Sequence, residues 1–175
     1  METTSYILKE FKPFSLFSKV SEIKTFFIET SFSHFPIVKK NVLIGLISKI
    51  DIDEIDTNEK KLEDFSYLIK LFYAEQSENL LELVKIFAAN ETNLVPVIKE
   101  NHTYLGYLDL IDILHVYNET PFLNNEGVVL VLEKEIQDFS FSQVCQIVET
   151  NNGKVLGLFI SEISGAIVKI TLKFN

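Results

Sequence analysis

The stretch SHFPIVKKNVLIGLISKIDIDEI (Ser33–Ile55) returns as NLVPVIKENHTYLGYLDLIDILHVY (Asn93–Tyr117). Pro36 answers Pro96, Gly45 answers Gly106, and Asp51 answers Asp112. Each copy has an apolar triplet around a proline, a polar turn, an apolar–glycine–apolar strand and an acidic helix start. A repeat constrains architecture more strongly than local propensity, because each copy must bury its apolar face against the other. The core is therefore expected to be two similar units packed together, with the cleft between them as the place for function.

Helical spacing of Leu16, Val20, Ile23, Phe26 and Phe27 predicts a helix over Leu16–Thr30. Strands are expected at Phe35–Val38 and Val42–Ile47, joined by a KKN turn. Ser48 then stands at a helix N-cap, with Asp51 in the first turn. Glu54–Glu63 is polar and reads as a connector. The second round begins at Leu68–Tyr73. It continues with a helix capped by Ser77 and running to Asn90, strands Leu94–Ile98 and Tyr104–Leu108, and a helix Leu110–Tyr117. The second turn is one residue longer, since 106 − 96 is 10 and 45 − 36 is 9; loops absorb such insertions cheaply.

Asn118–Glu126 is a turn-rich boundary. After it, Gly127–Glu133 reads as a strand central in a sheet or buried on both faces. A helix over Phe141–Thr150, an NNG turn, strand Val155–Ile160, an SG turn and strand Ala166–Phe174 follow. The order β-α-β-β ends without a closing element, which suggests a chain that stops partway through a βαββαβ unit.

The residues FPIVKKNVLIGLISKIDI (Phe35–Ile52) and VPVIKENHTYLGYLDLIDI (Val95–Ile113) resemble a tandem pair of CBS domains, the Bateman module. The tail resembles the first part of an ACT-like regulatory domain. The whole is similar to bacterial CBS–ACT proteins of the acetoin-utilisation (AcuB-like) type. The resemblance implies an α+β fold: two CBS repeats, 1–60 and 61–118, packed as a pseudo-two-fold pair. A partial ferredoxin-like (ACT-like) βαββ unit over 127–175 would follow. It also implies a regulatory module that binds a small-molecule effector, an adenine nucleotide or adenosine derivative, and a homodimer. The alternative is a ligand-free CBS pair kept as a dimerisation or protein-interaction scaffold.

Carried over by position, the expected ligand contacts are Ser48 and Asp51 in the first copy and Asp109 and Asp112 in the second. His34 and Phe35, with Leu94 and Val95, stand on the strands expected to line the base. Carboxylates accept both hydroxyls of a ribose. The competing reading is structural: Ser48 and Asp109 are good N-caps, worth about 1 kcal/mol each. Asp51 and Asp112 suit a helix N-terminus, and His34 suits a solvated strand edge. The copies differ in one telling place. Asp109 stands where Ser48 offers a hydroxyl, and a poorly solvated carboxylate there would repel a phosphate by several kcal/mol, a rough Coulomb figure.

Net charge is −9, and all 16 basic residues are lysine, none arginine. That excludes a phosphate-backbone reader, which needs clustered cations, and removes the bidentate fork that arginine offers to phosphates. The N-terminal METTSYILKEFKPF lacks the basic start and apolar core of a secretory signal. No apolar run approaches a membrane-spanning length. Cys145 is the single cysteine, on the apolar face of its helix near Val144 and Val148, and reads as a buried structural thiol. A cytoplasmic location is expected, with no nucleic-acid or membrane partner. His34, His102 and His115 lack metal-ligand spacing. Asp51, Asp53, Glu54 and Asp56 lack the glycine that a calcium loop requires at its sixth position. No nucleophile–base pair can be named, so an enzyme is not expected, and no cofactor is indicated beyond the adenosine-type ligand.

Overall fold

The computed structural model describes residues 3–56 and 59–175. The chain divides into two units, Met1–His115 and Val116–Asn175. The first holds the repeat. Its elements are α1 (Val20–Glu29), β1 (His34–Lys39), β2 (Val42–Ser48) and α2 (Lys49–Asp53). They return as α3 (Leu80–Ala89), β4 (Leu94–Lys99), β5 (Thr103–Asp109) and α4 (Leu110–Asn118), preceded by the two-residue β3 (Ala74–Glu75). The sheet order is β1-β2-β5-β4-β3.

Each copy is built on a hairpin in the same register. Pro36 faces Leu46 and Ile37 faces Gly45; Pro96 faces Tyr107 and Val97 faces Gly106. Both hairpins carry a bulge at the equivalent step, Ile37/Val38 and Val97/Ile98. In the first, Lys40 and Asn41 turn the chain with φ of 50° and 66°. Two successive positive φ values match the right-handed twist of the flanking strands. The extra residue of the second turn lies in the 3₁₀ segment Glu100–His102. The hairpins meet at a single pair, Val42 with Thr103.

Helix α1 buries Val20, Ile23 and Phe27, at most 1% exposed, one stripe of a 3.6-residue period. Leu83 and Phe87 do the same for α3. Each such side chain contributes about 1.5–3 kcal/mol of hydrophobic burial.

The glycines repeat because another chain segment lies on them. At Gly45 a Cβ would stand 2.5 Å from Ile69 Cγ2 and 2.7 Å from the Lys70 carbonyl oxygen. At Gly106 it would strike Ile7 Cγ2 and the Leu8 carbonyl oxygen. Leu46 pairs with Lys70 through bonds of 2.8 and 3.0 Å, and Tyr107 pairs with Leu8 through bonds of 2.8 and 3.1 Å. The segment ahead of each copy thus crosses to the hairpin of the other.

Several sequence expectations need correction. Helix α1 starts at Val20, not Leu16. The Ser15 N–H donates to Ser18 Oγ at 3.1 Å, folding a turn there. The backbone of Leu16, Ser18 and Val20 then pairs with residues 60–63. The α3 cap is Asn79, not Ser77: its Oδ1 accepts from the N–H groups of Leu81 and Glu82 at 3.0 and 3.1 Å. The expected connector 54–63 includes residues 57–58, which lie outside the described residues. The boundary segment contains a short helix, α5 (Pro121–Asn124).

The second unit is β6 (Val128–Glu135), α6 (Phe141–Thr150), β7 (Val155–Ser164) and β8 (Ile167–Phe174), the expected β-α-β-β. Its sheet order is β6-β8-β7, a three-stranded sheet that fits an ACT-like segment. Strand β6 is therefore an edge, not a central strand, and Val128–Val131 are all exposed. The buried centre is β8, where Val168, Ile170 and Leu172 alternate inward at no more than 1% exposure.

Candidate ligand-binding site

The shared register places equivalent residues of the two copies in equivalent clefts. His34 faces Ser48 across the first hairpin, and Leu94 faces Asp109 across the second. The segment ahead of each copy lies beside the other copy's hairpin, Lys70 on Leu46 and Leu8 on Tyr107.

In the first cleft, the Ser48 hydroxyl accepts from the Asp51 N–H at 3.0 Å and donates to Asp51 Oδ2 at 2.6 Å. The same carboxylate oxygen lies 3.9 Å from Lys70 Nζ. His34 is 9% exposed; its Nδ1 meets Ser33 Oγ at 3.0 Å, and its ring stands edge-on to Phe72 with centroids 5.6 Å apart. Burial lowers the His34 pKa, and the Lys70 cation lowers it further against the opposing pull of Asp51. A neutral imidazole, a hydroxyl, a carboxylate and an ammonium thus converge where β2 meets α2.

The second cleft has the same frame and different chemistry. Asp109 Oδ1 accepts from the Ile111 N–H at 2.7 Å, capping the following turn. Asp112 lies half-buried in the first turn of α4. Leu94, the counterpart of His34, is fully buried. Both expected caps, at Ser48 and Asp109, are thus made.

Three candidates sit in the core. Phe35, Leu94 and Val95 are each 0% exposed. The Phe35 ring lies 4.3 Å from that of Phe26 and 5.4 Å from that of Phe14.

A polar junction joins the two clefts at the starts of β1 and β4. The Ser33 N–H and hydroxyl donate to Asn93 Oδ1 at 2.9 and 3.1 Å, and the Asn93 N–H donates to Ser33 Oγ at 3.2 Å. The carbonyls of these residues accept from Lys49 and Leu110, at 2.8 and 3.0 Å, where α2 and α4 begin.

Sequence reasoning missed Lys70, Phe72 and this junction. A signal for the crossing segment was present: SYLIK (Ser66–Lys70) echoes SYILK (Ser5–Lys9). In the second unit a shallow concavity is lined by Glu133, Glu162, Ser164, Ile167 and Lys169. Its lysine and Glu162 already pair at 2.8 Å. Among the described residues no group of three or more His, Cys, Asp or Glu side chains is placed to hold a metal, and no helix is long and apolar enough to cross a membrane.

Residues 68–119 match the CBS domain family model. The fold of the first unit is that of a CBS-domain pair. A CBS domain pair/ACT domain protein of Thermotoga maritima superposes with a TM-score of 0.59 at 16% identity, over 68% of this chain and 98% of that one. The cytosolic domain of the Mg²⁺ channel MgtE, solved in complex with ATP, gives a TM-score of 0.55 at 18% identity, over 66% of this chain and 48% of that one. An uncharacterised protein of Methanocaldococcus jannaschii is 23% identical over 114 residues, 65% of this chain; the match spans 43% of that protein's length. In CBS terms, β2–α2 and β5–α4 are the two strand–helix junctions of the pair.

Proposed function

We propose that this chain is a regulatory CBS-pair module that binds an adenosine-containing ligand in the first cleft. The observation that carries this reading is the convergence of His34, Ser48, Asp51 and Lys70 from β1, β2, α2 and the crossing segment. Asp51 accepts from ribose hydroxyls once its bond to Ser48 is released. The freed Ser48 hydroxyl and the Lys70 ammonium face the phosphate, while His34 and Phe72 bracket the base. One lysine without an arginine suits a monophosphate better than a triphosphate. The ATP complex of the MgtE fold relative supports the ligand class. Binding would act by favouring one arrangement of the two copies over another.

The CBS pair followed by an ACT-like sheet supports a place among regulators of the CBS–ACT, acetoin-utilisation type. The exposed apolar edge of β6 supports homodimer formation, which sedimentation tests; a strict monomer at high concentration would count against it. One observation favours the ligand-free scaffold: Ser48 and Asp51 already satisfy each other.

Thermal shifts with AMP, ADP, ATP, adenosine and S-adenosylmethionine, with and without Mg²⁺, separate the two readings. A ligand at 100 times its Kd adds about 2.7 kcal/mol. AMP is expected to give the largest shift, and Asp51→Ala to abolish it. No shift with any of the five leaves the scaffold.

A further inference from the structure

The two edges of the second sheet are built differently. Strand β7 shifts register against β8 at Val155/Gly157 and again at Ile160/Glu162, and such bulges twist an edge away from new partners. Strand β6 pairs with β8 along its whole length, Val128–Glu135, without a shift. It holds no proline, and Val128, Val129, Leu130 and Val131 are 54%, 56%, 41% and 62% exposed. An edge that is regular, apolar and open is a template for another strand.

The ladder fixes which backbone groups are open. The Ile136 N–H donates to the Ala166 carbonyl at 2.8 Å, and this pair continues the β6–β8 register. Hydrogen-bonded and non-hydrogen-bonded pairs alternate along an antiparallel ladder. Lys134, Leu132, Leu130 and Val128 therefore turn their N–H and C=O groups toward β8, and Val129, Val131, Glu133 and Glu135 turn theirs outward. Val128, Leu130, Leu132 and Lys134 place their side chains on the face that carries Val168, Ile170 and Leu172 of β8. The sequence around Leu130 is complementary to itself. Turned end for end about Leu130, EGVVLVLEK (Glu126–Lys134) sets Val129 opposite Val131, Val128 opposite Leu132 and Glu126 opposite Lys134. Glu126 and Lys134 are both exposed, and among the described residues neither has an ion-pair partner. A turn about Val131 instead sets Glu133 opposite Val129 and Lys134 opposite Val128. Parallel pairing in register sets Glu133 and Lys134 beside their own copies, like charge against like.

We propose that β6 pairs antiparallel with β6 of a second copy of this chain about a two-fold axis at Leu130, joining two three-stranded sheets into one. The proposal rests on the homodimer reading above and names its interface. The outward N–H and C=O groups of Val129 exchange hydrogen bonds with those of the partner's Val131, and the reverse. Leu130 meets its own copy in a non-hydrogen-bonded pair, where side chains come closest. An ion pair between Glu126 and the partner's Lys134 closes each end. The contact is isologous: each copy covers the other's open edge, the bulged β7 edges stay outside, and assembly stops at two.

The test is disulfide trapping in the full chain carrying Cys145→Ser, beside sedimentation of the unaltered chain. Leu130→Cys would face its own copy at a Cα separation of about 4.5 Å, within the reach of a disulfide. Oxidised glutathione should convert most of it to a covalent dimer on a non-reducing gel. Val131→Cys and Leu132→Cys, displaced along the strand from their own copies, should run as monomers. Lys134→Glu, which sets a like charge against Glu126, should raise the concentration needed for half-maximal trapping at Leu130→Cys about tenfold. Adding Glu126→Lys should restore it. A chain that sediments as a dimer but does not trap at Leu130→Cys, or traps as well at Val131→Cys or Leu132→Cys, overturns the proposal and leaves the homodimer reading standing. Trapping indifferent to Lys134→Glu overturns the register. A strict monomer overturns both readings and leaves the edge to a different strand.

Discussion

The two copies of the repeat share a backbone and differ in what they place on it. Register, bulge, glycine and crossing segment coincide. At the equivalent cleft positions, His34 and Ser48 stand against Leu94 and Asp109, and Leu46 against Tyr107. The difference teaches that the shape of the pair and its chemistry are set by separate residues. Shape needs proline, glycine and an apolar register; the clefts are free to diverge in charge.

The shared features should give the largest effects. Gly45→Ala and Gly106→Ala each force a Cβ into the crossing segment, at backbone φ of +153° and +147°. Each is expected to cost about 3 kcal/mol in urea denaturation, from overpacking and backbone strain together. A loss confined to one glycine would break the claimed equivalence of the crossings.

The copy-specific features come next. Tyr104→Phe removes a buried hydroxyl that has no hydrogen-bond partner among the described residues and should stabilise the free chain by about 1 kcal/mol or more. Among the helices, α3 has the Asn79 side-chain cap, while α1 begins at Lys19 without one. Asn79→Ala should therefore cost about 1 kcal/mol, and Lys19→Ala much less; equal losses would contradict the difference in capping.

The smallest effect is a pH dependence unique to the first copy. The His34 pKa is lowered in the folded chain by burial, then by Lys70. The unfolded chain therefore takes up the proton first as pH falls. The contribution is fully present above the unfolded value near 6.5 and is lost as pH drops from there through the folded value. His34→Gln should flatten that part of the profile; an unchanged slope would assign it to other groups.

Much of this was legible in the sequence because the determinants are local. The Ser48 and Asp109 caps, the longer second turn and the helix over Phe141–Thr150 depend on residues within a few positions of one another. Other features depend on distant partners. The start of α1 is set by the serine turn at Ser15–Ser18 and by backbone pairing with residues 60–63. An apolar run such as Val128–Leu132 reads the same at an edge as at the centre, and only its pairing with β8 alone fixes β6 as an edge. Lys70 reaches Asp51 because its segment crosses to the other hairpin, a long-range placement that motif spacing does not encode. The hydroxyls of Tyr104 and Tyr107 share a face because of a one-residue bulge, which inverts the usual alternation.

The central claim is that equal shape carries unequal sites. Calorimetric titration of the full chain with AMP tests it most directly, through its stoichiometry. One site per chain is expected, lost in Asp51→Ala and retained in Asp109→Ala. Two equivalent sites, or binding that survives Asp51→Ala and fails in Asp109→Ala, would contradict it.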